Sequence, residues 1–421
     1  MTTDTSENYR RCVITSLPDN EIYVVCGSKV NSRNNESTNT ISFWANFSIY
    51  EYVTNTLLND LSNLIFLGCD GTVVNTGVFN GVICKLELKL HRPIQWIICL
   101  LHFNELPLRH LFECKSSGPS SYAGDIGRNL KRCEKLPLVA FNSIKCELPG
   151  IDPTNLSCDQ KYLLDICTSI SSGVGSSDMV KCQKGSLNLA HWLTTGNRIL
   201  RLYITTSNPS NELITFVVFI LRVYAPSWFR IKVHHSIKEG ARHLWHFISL
   251  SRYLPKKYHD IIEPVISHNA YFEAPENMLL VMLTDGRCHI RTLAVRRIIK
   301  ASEIGPDGNC VGTFIIPAVN FRATDYVDLI VWQACNDTPP IILRHISCHE
   351  LLKMIQDNVP VDGWNFIKFP SHMQAVQRIV KLVTETSRKR VGPQYKDGFI
   401  RATLESIKQM PQFESKKDYK K

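Results

Sequence analysis

The residue with the clearest chemical potential is a single aspartate that follows an apolar run. Residues 64–69 are apolar apart from a glycine, and Asp70-Gly71 comes directly after them. This pattern predicts a buried strand with a carboxylate at its carboxyl end, where α/β proteins place metal ligands and reacting groups. Asp-Gly is also a common turn pair, so Asp70 has a second interpretation in which it only shapes the turn.

A cysteine and a histidine follow about thirty residues later, as Cys99 and His102 in a C-x-x-H pattern. A zinc site needs two more ligands at comparable spacing. The other candidates, Cys288-His289 and Cys348-His349, are adjacent pairs. We therefore expect Cys99 and His102 to be a structural pair and no metal site.

Basic residues are a third candidate feature, because the chain carries a formal charge of +10. Such an excess favours a polyanionic partner, since Lys and Arg gain free energy by releasing counterions from phosphates. Two groups of cations are the candidate DNA contacts: Arg287, Arg291, Arg296, Arg297 and Lys300 in one predicted helix, and Arg388, Lys389 and Arg390 near the end. The first group has an alternative interpretation as a solvated helix face, because its five members do not fall on one stripe.

The elements that would position these residues change in character along the chain. A strand at residues 64–69, a helix at 81–90, an apolar run at 94–101 and a helix opening at Pro107 follow the order typical of an α/β sheet. From about residue 118 the hydrophobic period is helical. It predicts helices at residues 159–170, 188–202, 212–223, 240–253, 276–284 and 287–301, and a last helix at 371–387.

Composition also limits the cellular compartments in which we expect the chain. The longest apolar run, residues 213–221, is followed by Arg222 and is shorter than the roughly 18 to 20 residues of a membrane helix. The polar start has no signal-peptide pattern, and the 15 cysteines have no regular spacing. We expect a reduced compartment, the nucleus or the cytoplasm, and no membrane partner.

Taken together, these segments resemble the hAT superfamily of transposases, the hobo and Activator type. The resemblance rests on the strand ending at Asp70, the C-x-x-H run, Trp192 in a helical region, and residues 369–378, a turn that leads into a helix. It implies an α/β fold, a ribonuclease-H-like mixed sheet interrupted by a large, mainly α-helical insertion. Trp192 would then stack on a displaced DNA base, although His191 stands where the family has an arginine.

The resemblance also implies a division of the chain. Residues 1–56 would be a poorly ordered N-terminal remnant and 57–117 part of the ribonuclease-H-like core. Residues 118–368 would be the helical insertion, 369–410 a C-terminal helical segment that completes the core and a dimerisation region, and 411–421 a disordered basic tail.

The residues at the positions that match the family's catalytic acids argue against catalysis. Asp70 falls on the second acid of the family's triad, but the third acid position reads Gln377, and the first strand candidate, residues 22–27, carries no carboxylate. Two divalent cations need anionic oxygen ligands, and a neutral amide does not neutralise them. The expectation is a vestigial Asp70 and no cofactor, with Mg²⁺ or Mn²⁺ held by Asp70 only if the chain is active.

The function expected from the sequence is therefore that of a transposase-derived, catalytically inactive DNA-binding protein that self-associates. Two alternatives stay open. One is an active Mg-dependent DNA transposase or nuclease. The other is a domesticated nuclear protein-interaction module that does not bind DNA.

Overall fold

The computed structural model describes residues 11–16, 22–27, 64–69, 81–115, 124–130, 132–175, 192–234, 239–268, 275–304, 317–335 and 346–357. Five candidate residues lie outside these ranges: Asp70, Gln377, Arg388, Lys389 and Arg390. The predicted last helix at 371–387 and the basic tail lie outside them too.

Four short strands form one sheet, in the spatial order β1-β2-β3-β4. The strands are β1 Arg11–Ser16, β2 Ile22–Gly27, β3 Leu64–Cys69 and β4 Gln95–Ile98. β1 is antiparallel to β2, while β3 is parallel to β2 and to β4. Leu67 of β3 lies opposite Val24 on one side and Trp96 on the other, and its side chain is buried.

Twelve α-helices account for most of the described residues. They are α1 Val82–Leu90, α2 Leu100–Lys115, α3 Gly124–Asn129, α4 Cys158–Ser172, α5 Leu193–Tyr203, α6 Asn211–Phe219, α7 Ala225–Val233, α8 Gly240–Ser251, α9 Lys256–His268, α10 Pro275–Leu283, α11 Cys288–Ile304 and α12 Cys348–Gln356. Short 3₁₀ turns lie at Arg132–Lys135, Pro153–Asn155, Tyr326–Asp328 and Trp332–Ala334.

Local sequence explains several of the helix ends. Ser157 and Gln160 form a capping box at the start of α4, and Gly173 ends that helix with φ of 76°, a left-handed conformation that glycine adopts without steric cost. Ser347 and Glu350 form a second capping box at α12. These side chains satisfy backbone N–H groups that a helix start leaves without partners.

Helix α5 is the centre of the helical body, since every one of its residues is buried. It packs on α4 and α6. Helix α6 continues into α7 through a π-helical turn, Ile220–Tyr224. The stretch 211–233 is long and apolar enough to cross a membrane, but 78% of its apolar window is buried inside the fold, as in a core helix of a folded domain.

The expected fold class, an α/β ribonuclease-H-like mixed sheet with a helical insertion, is wrong. The described chain is mostly helical, and its strands are at most six residues long. The core is built by helix packing on helix, with the largest fully buried aromatic side chains on α2, α4, α6, α7, α8 and the π-helical turn. Short apolar runs were correctly predicted as strands, but a few such strands do not make a sheet the main layer of a fold.

Several predictions of individual helices are confirmed, in contrast to the predicted fold class. The helices predicted at residues 81–90, 159–170, 276–284 and 287–301 are confirmed as α1, α4, α10 and α11. The helix predicted to open at Pro107 instead begins at Leu100, and Pro107 lies inside it. Leu108, Leu111 and Phe112 beyond the proline are fully buried, so tertiary packing outweighs the cost of an interior proline.

Candidate anion-binding cleft

Cys99 and His102 lie together at the start of α2. The Cys99 side chain is buried, and the His102 backbone N–H donates to the Cys99 carbonyl at 3.0 Å. The His102 Nδ1 lies 3.1 Å from the Glu105 carboxylate one turn on. The Glu105 carboxylate thus orients the His102 ring at the start of α2.

Trp192 precedes α5 as its N-cap residue, with a left-handed φ of 51°. Its ring packs edge-on against Phe112 of α2, with ring centroids 5.5 Å apart. Phe112 in turn contacts Phe216. The ring is therefore part of an aromatic cluster of the core, and its use as a base-stacking surface has no support in this geometry.

The five basic residues of the segment 287–300 separate into four environments. Arg291 is only 4% exposed and donates to the carbonyls of Asp285 and Gly286, so its assignment to a DNA-binding surface is wrong in this conformation. The Arg297 guanidinium lies 4.0 Å from the Trp332 ring centroid. Arg296 and Lys300 are exposed, four residues apart on one face of α11.

The fifth, Arg287, lines an open cleft of about 310 Å³. The cleft lies between α7, α8, the turn before α11 and the 3₁₀ turn at Tyr326–Asp328. Its walls are formed by Arg230, Arg242, Trp245, Asp285, Arg287, Asp325 and Tyr326.

Asp285 organises one wall of the cleft. Its carboxylate accepts hydrogen bonds from the Arg287 backbone N–H and guanidinium, from Arg242 Nη2 at 3.3 Å, and from the Tyr326 hydroxyl at 2.5 Å. Burial alone would raise the pKa of Asp285, but the hydrogen bonds from Arg287 and Tyr326 outweigh it and hold that pKa well below the usual range. Asp285 is thus ionised at all moderate pH values and neutralises the cations around it.

The other charged side chains of the cleft, Arg230 excepted, are paired as well. Arg287 Nη1 lies 2.5 Å from Asp325, and Arg242 Nη1 lies 2.8 Å from Glu239. Both guanidiniums also lie over the Tyr326 ring, at 5.1 Å for Arg242 and 5.8 Å for Arg287. Two arginines and two aspartates thus form a closed network on this side.

Arg230 is the cation of the cleft that is not part of this network. It comes from the last turn of α7 and is half-buried, and its Nε is buried without a hydrogen-bond partner. Among the described residues no carboxylate or carbonyl accepts from it. Burying a charge without a counter-charge is costly. An anion in the cleft would therefore gain a guanidinium partner in Arg230, although Arg230, Arg242 and Arg287 are matched in number by the carboxylates of Asp285, Asp325 and Glu239.

Most of these residues were not singled out by the sequence. Arg230, Arg242, Asp285 and Asp325 come from separate segments, so no local spacing connects them. The signal that was available is the Asp285-Gly286-Arg287 turn between two predicted helices, because Asp in such turns often binds the backbone two residues on. Asp285 does so through the Arg287 N–H at 2.9 Å.

Within the described ranges, no group of three or more histidine, cysteine, aspartate or glutamate side chains is arranged to hold a metal ion. The chain matches no family model, no curated protein and no solved structure. Function must therefore be argued from the residues themselves.

Proposed function

We propose that the chain is a transposase-derived DNA-binding protein that does not cleave DNA strands. The observation that carries the DNA-binding part is the guanidinium of Arg230, which lines an open cleft and donates to no carboxylate or carbonyl among the described residues. Guanidinium is the side-chain group best suited to phosphate, because its planar donors match the phosphate oxygens. The transposase origin rests on the resemblance of Asp70, Cys99, His102, Trp192 and residues 369–378 to hAT proteins.

A path for a phosphate backbone leads away from the cleft along α11. Arg287 stands at the cleft, and Arg296 and Lys300 follow nine and thirteen residues later. At 1.5 Å per helical residue, they lie about 14 Å and 20 Å further along the axis. Both are exposed and have no partner among the described residues. Contacts of this kind bind phosphates without reading sequence.

The binding test measures fluorescence anisotropy of a labelled 20-base-pair duplex between low and physiological salt. We expect binding that weakens with salt, and Arg230→Gln to lower the affinity and make the salt slope shallower by about 1, as for the removal of one phosphate-binding cation. Arg109→Gln is the matched control, since it removes the same charge from an exposed pair with Glu113 on α2. Absence of duplex binding by the unsubstituted chain at low salt would refute binding of double-stranded DNA, and equal effects of the two substitutions would refute the cleft as its site.

The proposed lack of DNA strand cleavage is tested on the same protein preparation. With Mn²⁺ and hairpin-ended DNA we expect no nicking and no joining, because Gln377 supplies no charge to a metal. Cleavage that disappears in Asp70→Ala would show an active enzyme and contradict the proposal.

A further inference from the structure

A second surface lies on the turn between α8 and α9, beside the cleft. Its central residue is Tyr253, whose side chain is 78% exposed. Among the described residues, the Tyr253 hydroxyl makes no hydrogen bond and its ring has no ring contact. A phenol ring presented in this way leaves a flat apolar face in water, which is a ready surface for another flat group.

The backbone that carries Tyr253 is held rigidly. Leu254, the next residue, is 7% exposed and anchors the turn in the core. The Leu254 N–H donates to the Ser251 carbonyl at 3.0 Å, and the Tyr258 N–H donates to the Pro255 carbonyl at 2.9 Å. The ring therefore projects from a fixed turn, so a partner does not have to order the backbone on binding.

Cations lie close to Tyr253 in the chain. Lys256 and Lys257 follow it in the first turn of α9 and are exposed, and the Lys257 ammonium lies 4.8 Å from the ring centroid of Tyr258. Arg322 lies far from Tyr253 in the sequence. Arg252, the residue before Tyr253, holds the segment around Arg322 in place. Arg252 donates to the carbonyls of Phe321 at 2.8 Å and Ala323 at 2.7 Å, on either side of Arg322.

The charge balance of this surface is positive. Asp260 is paired with Lys256 at 3.2 Å, which leaves Lys257 and the exposed Arg322 without a carboxylate among the described residues. Trp245 of the cleft donates to the same Ala323 carbonyl at 3.1 Å, so the segment 321–323 links this surface with the cleft.

We propose that Tyr253, Lys256, Lys257 and Arg322 form a binding surface for single-stranded nucleic acid, with a base stacked on Tyr253 and phosphates on the cations. A duplex keeps its bases stacked inside, whereas a single strand offers its bases to an aromatic face. An acidic peptide would use the cations but gain little from the open ring. This proposal extends the DNA-binding proposal to a different surface and a different form of DNA.

The experiment compares three labelled probes on the full chain: a 20-nucleotide oligo-dT, an abasic strand of the same length and charge, and the 20-base-pair duplex. Tyr253→Ala should weaken binding to oligo-dT roughly 5- to 100-fold, the range expected when one base no longer stacks on an aromatic ring. It should leave the abasic strand unchanged, and Tyr253→Phe should bind oligo-dT as the unsubstituted chain does.

The cations are tested by the double substitution Lys256→Gln with Lys257→Gln. It should weaken binding to oligo-dT and to the abasic strand alike and make both salt slopes shallower, by up to about 0.7 for each phosphate that is no longer neutralised. Val174→Ala is the control, because Val174 is 70% exposed at a different place. Its affinities should equal those of the unsubstituted chain.

The outcomes separate this proposal from the previous one. Equal oligo-dT affinity for Tyr253→Ala and the unsubstituted chain refutes base stacking at Tyr253, even if Arg230→Gln still weakens the duplex. An equal loss on the abasic strand also refutes it and assigns the surface to simple charge attraction. Oligo-dT binding that depends on Tyr253, without duplex binding, supports this surface and refutes the duplex-binding cleft.

Discussion

Two histidines of α8 lie in an environment that favours their neutral form. Burial lowers the pKa of His243 to about 4; the hydrogen bond with the His234 backbone opposes this, and the charges of Arg230, His234 and His246 add to it. Burial and Arg230 likewise lower the pKa of His246 to about 4. The His243 Nε2 lies 2.7 Å from the His234 carbonyl, which fits a neutral ring with its proton on Nε2.

These shifts predict a loss of stability in mild acid. Because both folded-state pKa values lie below the unfolded value near 6.5, the unfolded chain takes up more protons, and stability falls as pH drops from about 6.5 to about 4. For His243 the loss at pH 5 is about 2 kcal/mol. Urea unfolding midpoints of the unsubstituted chain and His243→Gln, measured at pH 5 and pH 7.5, check this prediction.

The comparison between variants matters because Glu87 acts in the opposite direction. Burial raises the pKa of Glu87 to about 7, so its contribution is lost as pH rises from about 4.5 through 7. The Glu87 effect cancels in the difference between His243→Gln and the unsubstituted chain. If that difference is the same at both pH values, His243 is not buried in its neutral form.

Among the elements, the turn between α10 and α11 has the densest set of polar contacts. Asp285 connects this turn to α8 through Arg242 and to the 3₁₀ turn through Tyr326. Its side chain is 5% exposed. Its partners Arg287 and Arg242 are 42% and 27% exposed and keep Asp325 and Glu239 as further partners, so removing the Asp285 charge costs less than breaking a fully buried ion pair.

We therefore expect Asp285→Asn to lower the free energy of unfolding by about 1.5–3 kcal/mol, the range for hydrogen bonds to a charged group. The matched control is Asp260→Asn, whose pair with Lys256 is 57% exposed on the carboxylate side, and which should cost less than about 1 kcal/mol. Chemical denaturation of both variants at pH 7.5 gives the comparison. Similar small losses for the two would mean that the Asp285 network is not closed in solution.

In the molecule as a whole, the sheet meets the helical body at β4, where Asn277 of α10 bridges the two. The Asn277 side-chain oxygen accepts from Gln95 Nε2, and its Nδ2 donates to the Trp96 carbonyl at 3.2 Å. The Glu87 carboxyl accepts from Ile94 N–H, just before β4, and from Trp96 Nε1, both at 2.9 Å. β4 is an edge strand, and the Trp96 carbonyl bound by Asn277 is one of its backbone groups.

Asn277→Ala should therefore destabilise the fold by about 1–3 kcal/mol, since it leaves buried polar groups without partners. Asn142→Ala is a suitable control because the Asn142 side chain is exposed and only its carbonyl is used, by Tyr203. Thermal unfolding of the two variants tests the bridge. Equal melting temperatures would show that β4 and α10 are not joined through this residue.

The sequence by itself determined the local elements and the charge. Hydrophobic period 3.6 predicted α4, α10 and α11, and the apolar run before Asp70 predicted β3, because these patterns depend on neighbours within one or two turns. The excess of basic residues likewise follows from composition alone. The predicted α/β fold class was wrong. The size of a sheet depends on how many strands pair with one another, and local sequence patterns do not show this number.

Only the tertiary structure decided which of the basic residues are available. Arg291 and Arg296 lie in one helix with the same charge, yet Arg291 is buried under the Asp285 turn and Arg296 is exposed. Arg230 and Tyr253 stand out because of what packs, or does not pack, around them. Burial and pairing arise from contacts between segments far apart in the chain, and such contacts leave no trace in local spacing.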